Sequence, residues 1–322
     1  MDRRTFWLGA ALAPLAIDAG RGQSGWPDRL IRIIVPFAPG AFTDVSARLL
    51  AAELSDQLGQ SVIVENRGGA GSVLGTTAVV RAAADGYTLL LSDNSLSTAP
   101  GLYPSLPYDP LRDLSHISRV ATSPSILLVR PGLGVRTLSE LIALAKRKDG
   151  QLTFGSGGPG SSAHLGMELM LDLAGVRATH VPFRGVAAAI TDVMAGRVDM
   201  VIASLAAGVA QVQAGTLVGL AVSADQRSAL LSQVPTFVQA GLPAYKMLYW
   251  WGLAAPAGTP AEVVQRLNRE VNTACGKPRL RDAYVQQAAV AAPSTPEEMK
   301  DLLAREIALW TGVIARAHVT VQ

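Results

Sequence analysis

The sequence predicts an α/β fold built as two lobes. Three observations lead there. The chain has 322 residues, more than a single core usually serves. Short β-branched apolar runs alternate with helical patterns, the order that gives a parallel sheet with helices on both faces. One arrangement, a strand feeding a small-residue turn and then a helix, occurs twice, once in each half.

The first of these spans Ile31 to Leu50. Ile31, Ile33, Ile34 and Val35 form an apolar strand broken only by Arg32, and Pro36 ends it. Ala38-Pro39-Gly40-Ala41 is a turn. Thr43 and Asp44 stand where a helix is capped, and Val45, Leu49 and Leu50 begin its apolar face. Such a turn leaves backbone N–H groups free at the helix start, where they attract anions. One end of a small anionic ligand is expected here.

Ser61–Glu65 reads as the next strand, followed by the glycine-rich loop Asn66–Ser72 and a helix from Leu74 to Ala84. Tyr87–Ser92 is a third strand, ending in the polar turn Asp93-Asn94-Ser95. Gly101 to Asp113, rich in proline, tyrosine and aspartate, is expected to be irregular. Ser125–Arg130 is a strand. Thr137-Leu138-Ser139-Glu140 is a capping box opening a helix to about Lys148, and Thr259–Glu262 and Thr295–Glu298 carry the same signature with Pro at the first helical position. Gln151–Phe154, the loop Gly155–Ser162 and His164–Gly175 form the second strand–loop–helix cradle. Further strands are expected at Ala178–Phe183, Val198–Ala203, Leu217–Ser223 and from Tyr249 to Pro256. Leu302, Leu303, Ile307, Trp310 and Ile314 stripe the last helix.

Composition excludes several classes. Hydrophobic residues make up 49% and charged residues 16%, which suits a packed protein and not a disordered one. The net charge is +3, and the basic residues are scattered without interleaved aromatics, so no nucleic acid is expected as a partner. Residues 1–23 read as an export signal: Arg3-Arg4-Thr5-Phe6 precedes an apolar run to Ile17 too short to span a bilayer. The adjacent arginines resemble a twin-arginine signal, with the general secretory route as the alternative. No later segment is long and apolar enough to be transmembrane. Cys275 is the one cysteine, so no intramolecular disulfide forms.

Gly155-Ser156-Gly157-Gly158-Pro159-Gly160 matches G-x-G-x-x-G. Its preceding strand is polar, Pro159 interrupts the turn, and no acidic residue ends the next strand at the dinucleotide spacing. Ser161 stands where a phosphate loop needs Lys. The loop is better suited to a general anion cradle, offering N–H groups and the hydroxyls of Ser161 and Ser162; the alternative is a loop that only caps its own helix. No catalytic constellation is present: there is no G-x-S-x-G, and His116, His164, His180 and His318 do not fall at metal-ligand spacing. No catalytic residue, metal or cofactor is expected. Asp44 is a candidate for a ligand amino group or for helix-start stabilisation, and Asp199, at a strand start, for binding or structure.

Several stretches together resemble the Bug, or TctC-like, extracytoplasmic solute-binding proteins. They are VPFAPGAFTD (35–44), VENRGGAGS (64–72), ADGYTLLL (84–91), LPYDPLRDL (106–114), ELIALAKRKDGQLTFGSGGPGSSAHL (140–165), HVPFRG (180–185), GRVDMVI (196–202) and GLAAPAGTPAEVV (252–264). They run in order from about Pro27 to Trp310. The resemblance implies a type II periplasmic binding protein fold, two α/β lobes closing on a ligand cleft, with lobe 1 formed by 24–124 and 247–322 and lobe 2 by 125–246. It implies a periplasmic protein, expected as a monomer, that captures a small carboxylate for the membrane components of a tripartite tricarboxylate-type transporter. A ligand-presenting sensor is the alternative, and a hydrolase on a two-lobed fold a more distant one.

In that family the loop after the first strand and the glycine–serine loop of the second lobe hold a carboxylate. Here these match Phe37, Ala38, Gly40, Ala41, Phe42, Thr43 and Asp44, and Ser156, Gly157, Ser161, Ser162 and His164, with Asn94 and Asp199 as further candidates. The chain departs from the family's PFAPGG at Ala41-Phe42, from ENRPGAGG with ENRGGAGS, and lacks a usual proline near Val209-Ala210. Ala41 has less freedom than glycine to take positive φ. The Phe42 ring is expected either to wall the cleft or to pack outward or against Trp250 or Trp251 without touching ligand.

Overall fold

The computed structural model describes residues 25–321; the stretch expected to be an export signal lies outside the described residues. Strands β1 (Ile31–Val35), β2 (Val62–Asn66) and β3 (Thr88–Asp93) lie side by side and parallel, with helices α1 (Phe42–Leu58), α2 (Val73–Val80) and α3 (Ser95–Leu102) between and after them. β4 (Leu114–Val129) is a 16-residue strand. After it come α4 (Leu138–Lys148), β5 (Thr153–Ser156), α5 (Ser162–Ala174), β6 (Thr179–Pro182), α6 (Val186–Met194), β7 (Met200–Ser204), α7 (Leu205–Gln213) and β8 (Val218–Val222). β9 (Leu248–Pro256), α8 (Ala261–Gly276), α9 (Pro278–Gln286), β10 (Val290–Ala291) and α10 (Pro296–Arg316) complete the chain.

The parallel sheets expected from the alternation are present, but each also holds antiparallel strands. In the first, β9 runs antiparallel to β3 and to β4; in the second, β5 is parallel to β6 and β7 while β4 runs against β7 and β8. β4 belongs to both. Its residues Leu114 to Pro124 pair with β9, and Ser125 to Val129 pair with β7. Ser125–Arg130, expected as a separate strand, is therefore the far end of a longer one. α3, with Pro100 inside it, overlaps the stretch expected to be irregular only at Gly101 and Leu102, and 103–113 holds no helix or strand.

Alternation along the strands sets the cores. In β1, Ile31, Ile33 and Val35 enter a cluster with Leu50, Leu54, Leu267 and Tyr284, while Ile34 faces the opposite cluster of Leu90, Val79, Trp250 and Leu303. In β4, Leu127 and Val129 meet Leu141, Phe154 and Leu165, whereas Ile126 and Leu128 meet Ile190, Val193 and Val222. The molecule thus has two lobes, each a sheet between two apolar layers. α10 serves both: Met299 and Leu303 pack in the first lobe, Trp310, Val313 and Ile314 against the second.

Both outer capping boxes form, at Thr137–Glu140 and Thr295–Glu298. The third does not. α8 starts from Pro260, and the Thr259 hydroxyl donates instead to the Pro256 carbonyl at 2.8 Å. Among the described residues no helix is long and apolar enough to cross a membrane. Cys275 is buried, and burial pushes its thiol up to about 12.

Candidate functional site

The carboxyl ends of β1, β3 and β5 bring the two cradles face to face. In the first, α1 begins at Phe42 with Ala41 as N-cap, not at Thr43-Asp44 as expected. Ala41 has φ −75° and ψ 163°, extended backbone that alanine adopts freely, so its Cβ causes no strain. Gly40 takes the positive φ of the turn, +97°, with nothing within 4 Å of the place a Cβ would occupy.

Asp44 closes this turn from inside. It is buried and accepts from Gly40 N at 3.1 Å, Arg48 Nε at 3.1 Å and Nη2 at 2.9 Å, and Asn66 Nδ2 at 3.0 Å. Burial pushes its carboxyl up, but the bonds from Arg48, Asn66 and Gly40 outweigh this and hold it below the usual carboxylate range. Asn66 also donates to Phe37 O, so the end of β2 fixes the loop after β1. Thr43 accepts from Trp251 Nε1 at 2.9 Å. With its polar groups tied back, the loop leaves Ala38, Gly40 and Ala41 exposed.

In the second cradle Ser161 is the N-cap of α5 and accepts from His164 N at 3.3 Å. As a first-turn donor, Ser162 N has no acceptor within its helix. Gly160 N donates to His164 Nδ1 at 3.1 Å, which fixes the ring's proton on Nε2, facing Glu168 at 3.5 Å. His164 stacks on His180 with centroids 3.7 Å apart and planes at 12°, and Phe154 lies against both rings, 4.9 Å from His180 and 5.8 Å from His164. Ser156 Oγ meets His180 Nε2 at 2.6 Å and bonds both N and O of Gly158. Burial, and then the neighbouring His164, lower His180 to about 4. This aromatic stack braces the loop from beneath.

A cavity of about 320 Å³ separates the cradles. Phe37, Asp93, Ser95 and Tyr103 line it from one lobe and Gly157, Gly160, Ser161 and Ser162 from the other. The lobes touch at its edge, where a Cβ on Gly160 would stand 2.7 Å from Leu102. Phe42 borders a different cavity of about 250 Å³, with Ser204, Ala206 and Trp251. Its ring packs on Trp251 at 4.2 Å and on Tyr284 at 5.4 Å, as one of the expected placements has it, and it also faces this second cavity, which Ser204 and Ala206 line from the other lobe.

Of the candidates only Phe37, Gly157, Ser161 and Ser162 line this cavity; Ala38, Gly40 and Ala41 stand exposed beside it, Thr43 and Asp44 are tied back beneath, and four more are placed elsewhere. Asn94 is buried; its amide donates to Leu248 O and Glu306 and accepts from Trp250 N. Asp199 precedes β7 at the end of the sheet away from the cradles, where it accepts from Arg130 Nε at 2.8 Å and from Thr153 N at 2.9 Å. Ser156 and His164 lie under the second loop. Conversely, Asp93 and His180 were not singled out from the sequence. His180 has no local signal, because its partners are 16 and 24 residues away; Asp93 has one, an acidic residue ending a strand at the carboxyl edge.

The family model described as the tripartite tricarboxylate transporter family receptor matches residues 46–318. Protein BugT of Bordetella pertussis (strain Tohama I) is 38% identical over 316 residues, covering 98% of this chain and 97% of its own. The structure of Rpa4515 from R. palustris with adipate superposes with a TM-score of 0.80 at 34% identity, over 92% of this chain and all of that one. The periplasmic binding protein BugD gives 0.77 at 30% identity over 92% of this chain and all of its own.

Proposed function

The chain belongs to the tripartite tricarboxylate transporter receptor family, a family of periplasmic solute-binding proteins, and on that premise we propose that it captures a small carboxylate and presents it to tripartite-type membrane components. One observation carries the reading. The start of α5, with the hydroxyls of Ser161 and Ser162, faces the tied-back loop after β1 across a 320 Å³ cavity. A helix start contributes about 0.3–1 kcal/mol to an anion when exposed and up to about 2 when partly buried. Several hydrogen bonds from two lobes would bring this to micromolar binding, about −8 kcal/mol. That Rpa4515 was solved with adipate supports the carboxylate class.

Phe37, Ala38, Gly40 and Ala41 would contact ligand from the first lobe and Gly157, Ser161 and Ser162 from the second. Thr43, Asp44, Ser156 and His164 would hold those loops in place. Calorimetry against mono-, di- and tricarboxylates and amino acids tests the class; binding of uncharged sugars alone would reject it. The double variant Ser161→Ala with Ser162→Ala is expected to weaken carboxylate binding at least tenfold. Export through the twin-arginine route is part of the same proposal, and Arg3→Lys with Arg4→Lys is expected to leave precursor in the cytoplasm.

A further inference from the structure

The cavity has no cation of its own. Among its lining residues there is no Lys, Arg or His, and the one acidic side chain is Asp93, at the end of β3. A plain dicarboxylate seated on α5 would set its second charge in a cleft whose only charged wall is negative.

The two oxygens of Asp93 are unequally occupied. Oδ1 accepts from Ser95 N at 2.9 Å and so holds the first turn of α3. Oδ2 has one contact, Thr43 Oγ1 at 3.5 Å, the outer limit of a hydrogen bond. Burial pushes the Asp93 carboxyl above the usual carboxylate range, with the Ser95 N–H acting against it. Beside it the Ser95 hydroxyl is buried, lines the same cavity and makes no hydrogen bond of ordinary geometry, although it lies near enough to the Asp93 carboxyl to help hold it down. One wall therefore offers an under-used carboxylate oxygen and a loosely held hydroxyl; the other offers N–H groups.

We propose that Asp93 determines specificity in this cleft, selecting a carboxylate that also carries a cationic amino group, an amino acid, over a plain dicarboxylate. The ligand carboxylate would lie at Ser161 and Ser162 and the ammonium would donate to Asp93 Oδ2. A buried carboxylate gains most from a charged donor, since the pair neutralises both groups. This rests on the carboxylate reading above and narrows it.

Calorimetry with matched pairs tests it: glutamate against glutarate, and phenylalanine against 3-phenylpropanoate, which differ by the amino group. The parent protein is expected to bind the amino member of at least one pair tenfold or more tightly. Asp93→Asn, whose amide oxygen still accepts from Ser95 N, is expected to remove that preference. A parent that ranks the pairs equally or in reverse overturns the proposal, with no variant needed; so does an Asp93→Asn protein with the preference intact. If carboxylates bind and depend on Ser161 and Ser162 but the amino group gives no advantage, only this inference fails. If no member of either pair binds, the carboxylate reading fails and takes it along.

Discussion

Asp44 and Asp93 both stand at the cleft edge of the first lobe, yet their surroundings push them in opposite directions. Asp44 is met by an arginine, an amide and a backbone N–H; Asp93 by burial and one good donor. Asp44→Ala is expected to cost about 1–3 kcal/mol in urea denaturation, because Gly40 N loses its acceptor and Asn66 Nδ2 keeps only Phe37 O. An unchanged midpoint would show that the turn after β1 holds itself. His180 supplies a pH prediction. Its folded value of about 4 lies below the ordinary 6.5, so unfolding takes up a proton between those values. Its contribution is complete above about pH 6.5 and is lost as pH falls towards 4. His116, also lowered to about 4 by burial, acts with the same sign, whereas buried Glu306, raised by burial, acts against both. His180→Gln should therefore flatten the fall in melting temperature between pH 7 and 4.5, and an identical slope in the variant would remove the stacked pair from the account.

At the scale of elements, the second cradle serves two ends at once. Ser161 caps α5 whether or not ligand is present, whereas Ser162 is the first helical residue and caps nothing. Ser161→Ala is expected to destabilise the ligand-free protein by about 0.5–2 kcal/mol, and Ser162→Ala by much less. Equal losses in denaturant would contradict this division. The same elements show what sequence can express. The strand–turn–helix at Ile31–Leu50 and two of three capping boxes are local patterns, decided by residues within one or two turns of each other. β4 is not local. Its two halves pair with different partners, and Pro124 at the crossing hides the continuity. Asn94 looks like a cleft residue because it follows a strand. It is drawn inward by Glu306, 212 residues later, which no spacing reveals.

On the scale of the whole molecule, Glu306 joins α10 to the start of α3 and to β9. It accepts from Trp250 Nε1 at 2.7 Å, Trp310 Nε1 at 3.2 Å, Ser97 Oγ at 3.0 Å and Asn94 Nδ2 at 3.1 Å. Glu306→Leu would leave the indole N–H groups of Trp250 and Trp310 without an acceptor, while Asn94 keeps Leu248 O and Ser97 keeps Asn94 O, and is expected to cost about 2 kcal/mol or more. Glu306→Gln retains an acceptor oxygen and should cost less. A leucine variant as stable as the parent would mean that these donors find other partners. Because β4 threads both sheets and α10 packs on both cores, thermal unfolding is expected as one transition, and two resolved calorimetric peaks would argue against that coupling.

A helix of 21 residues is about 32 Å of nearly inextensible rod. Here it is anchored at Met299 and Leu303 to one lobe and at Trp310 and Ile314 to the other, with Arg316 gripping Asp172 of α5 at 2.8 Å. Two extended strands alone would form a loose pivot, free to swing through a wide arc. The rod makes the pivot a hinge with a stop. How far the jaws gape is then governed by the stiffness of α10, which backs α3 but puts no residue of its own into the cavity lining, and the grip on a bound molecule can be retuned there without touching a residue that meets it.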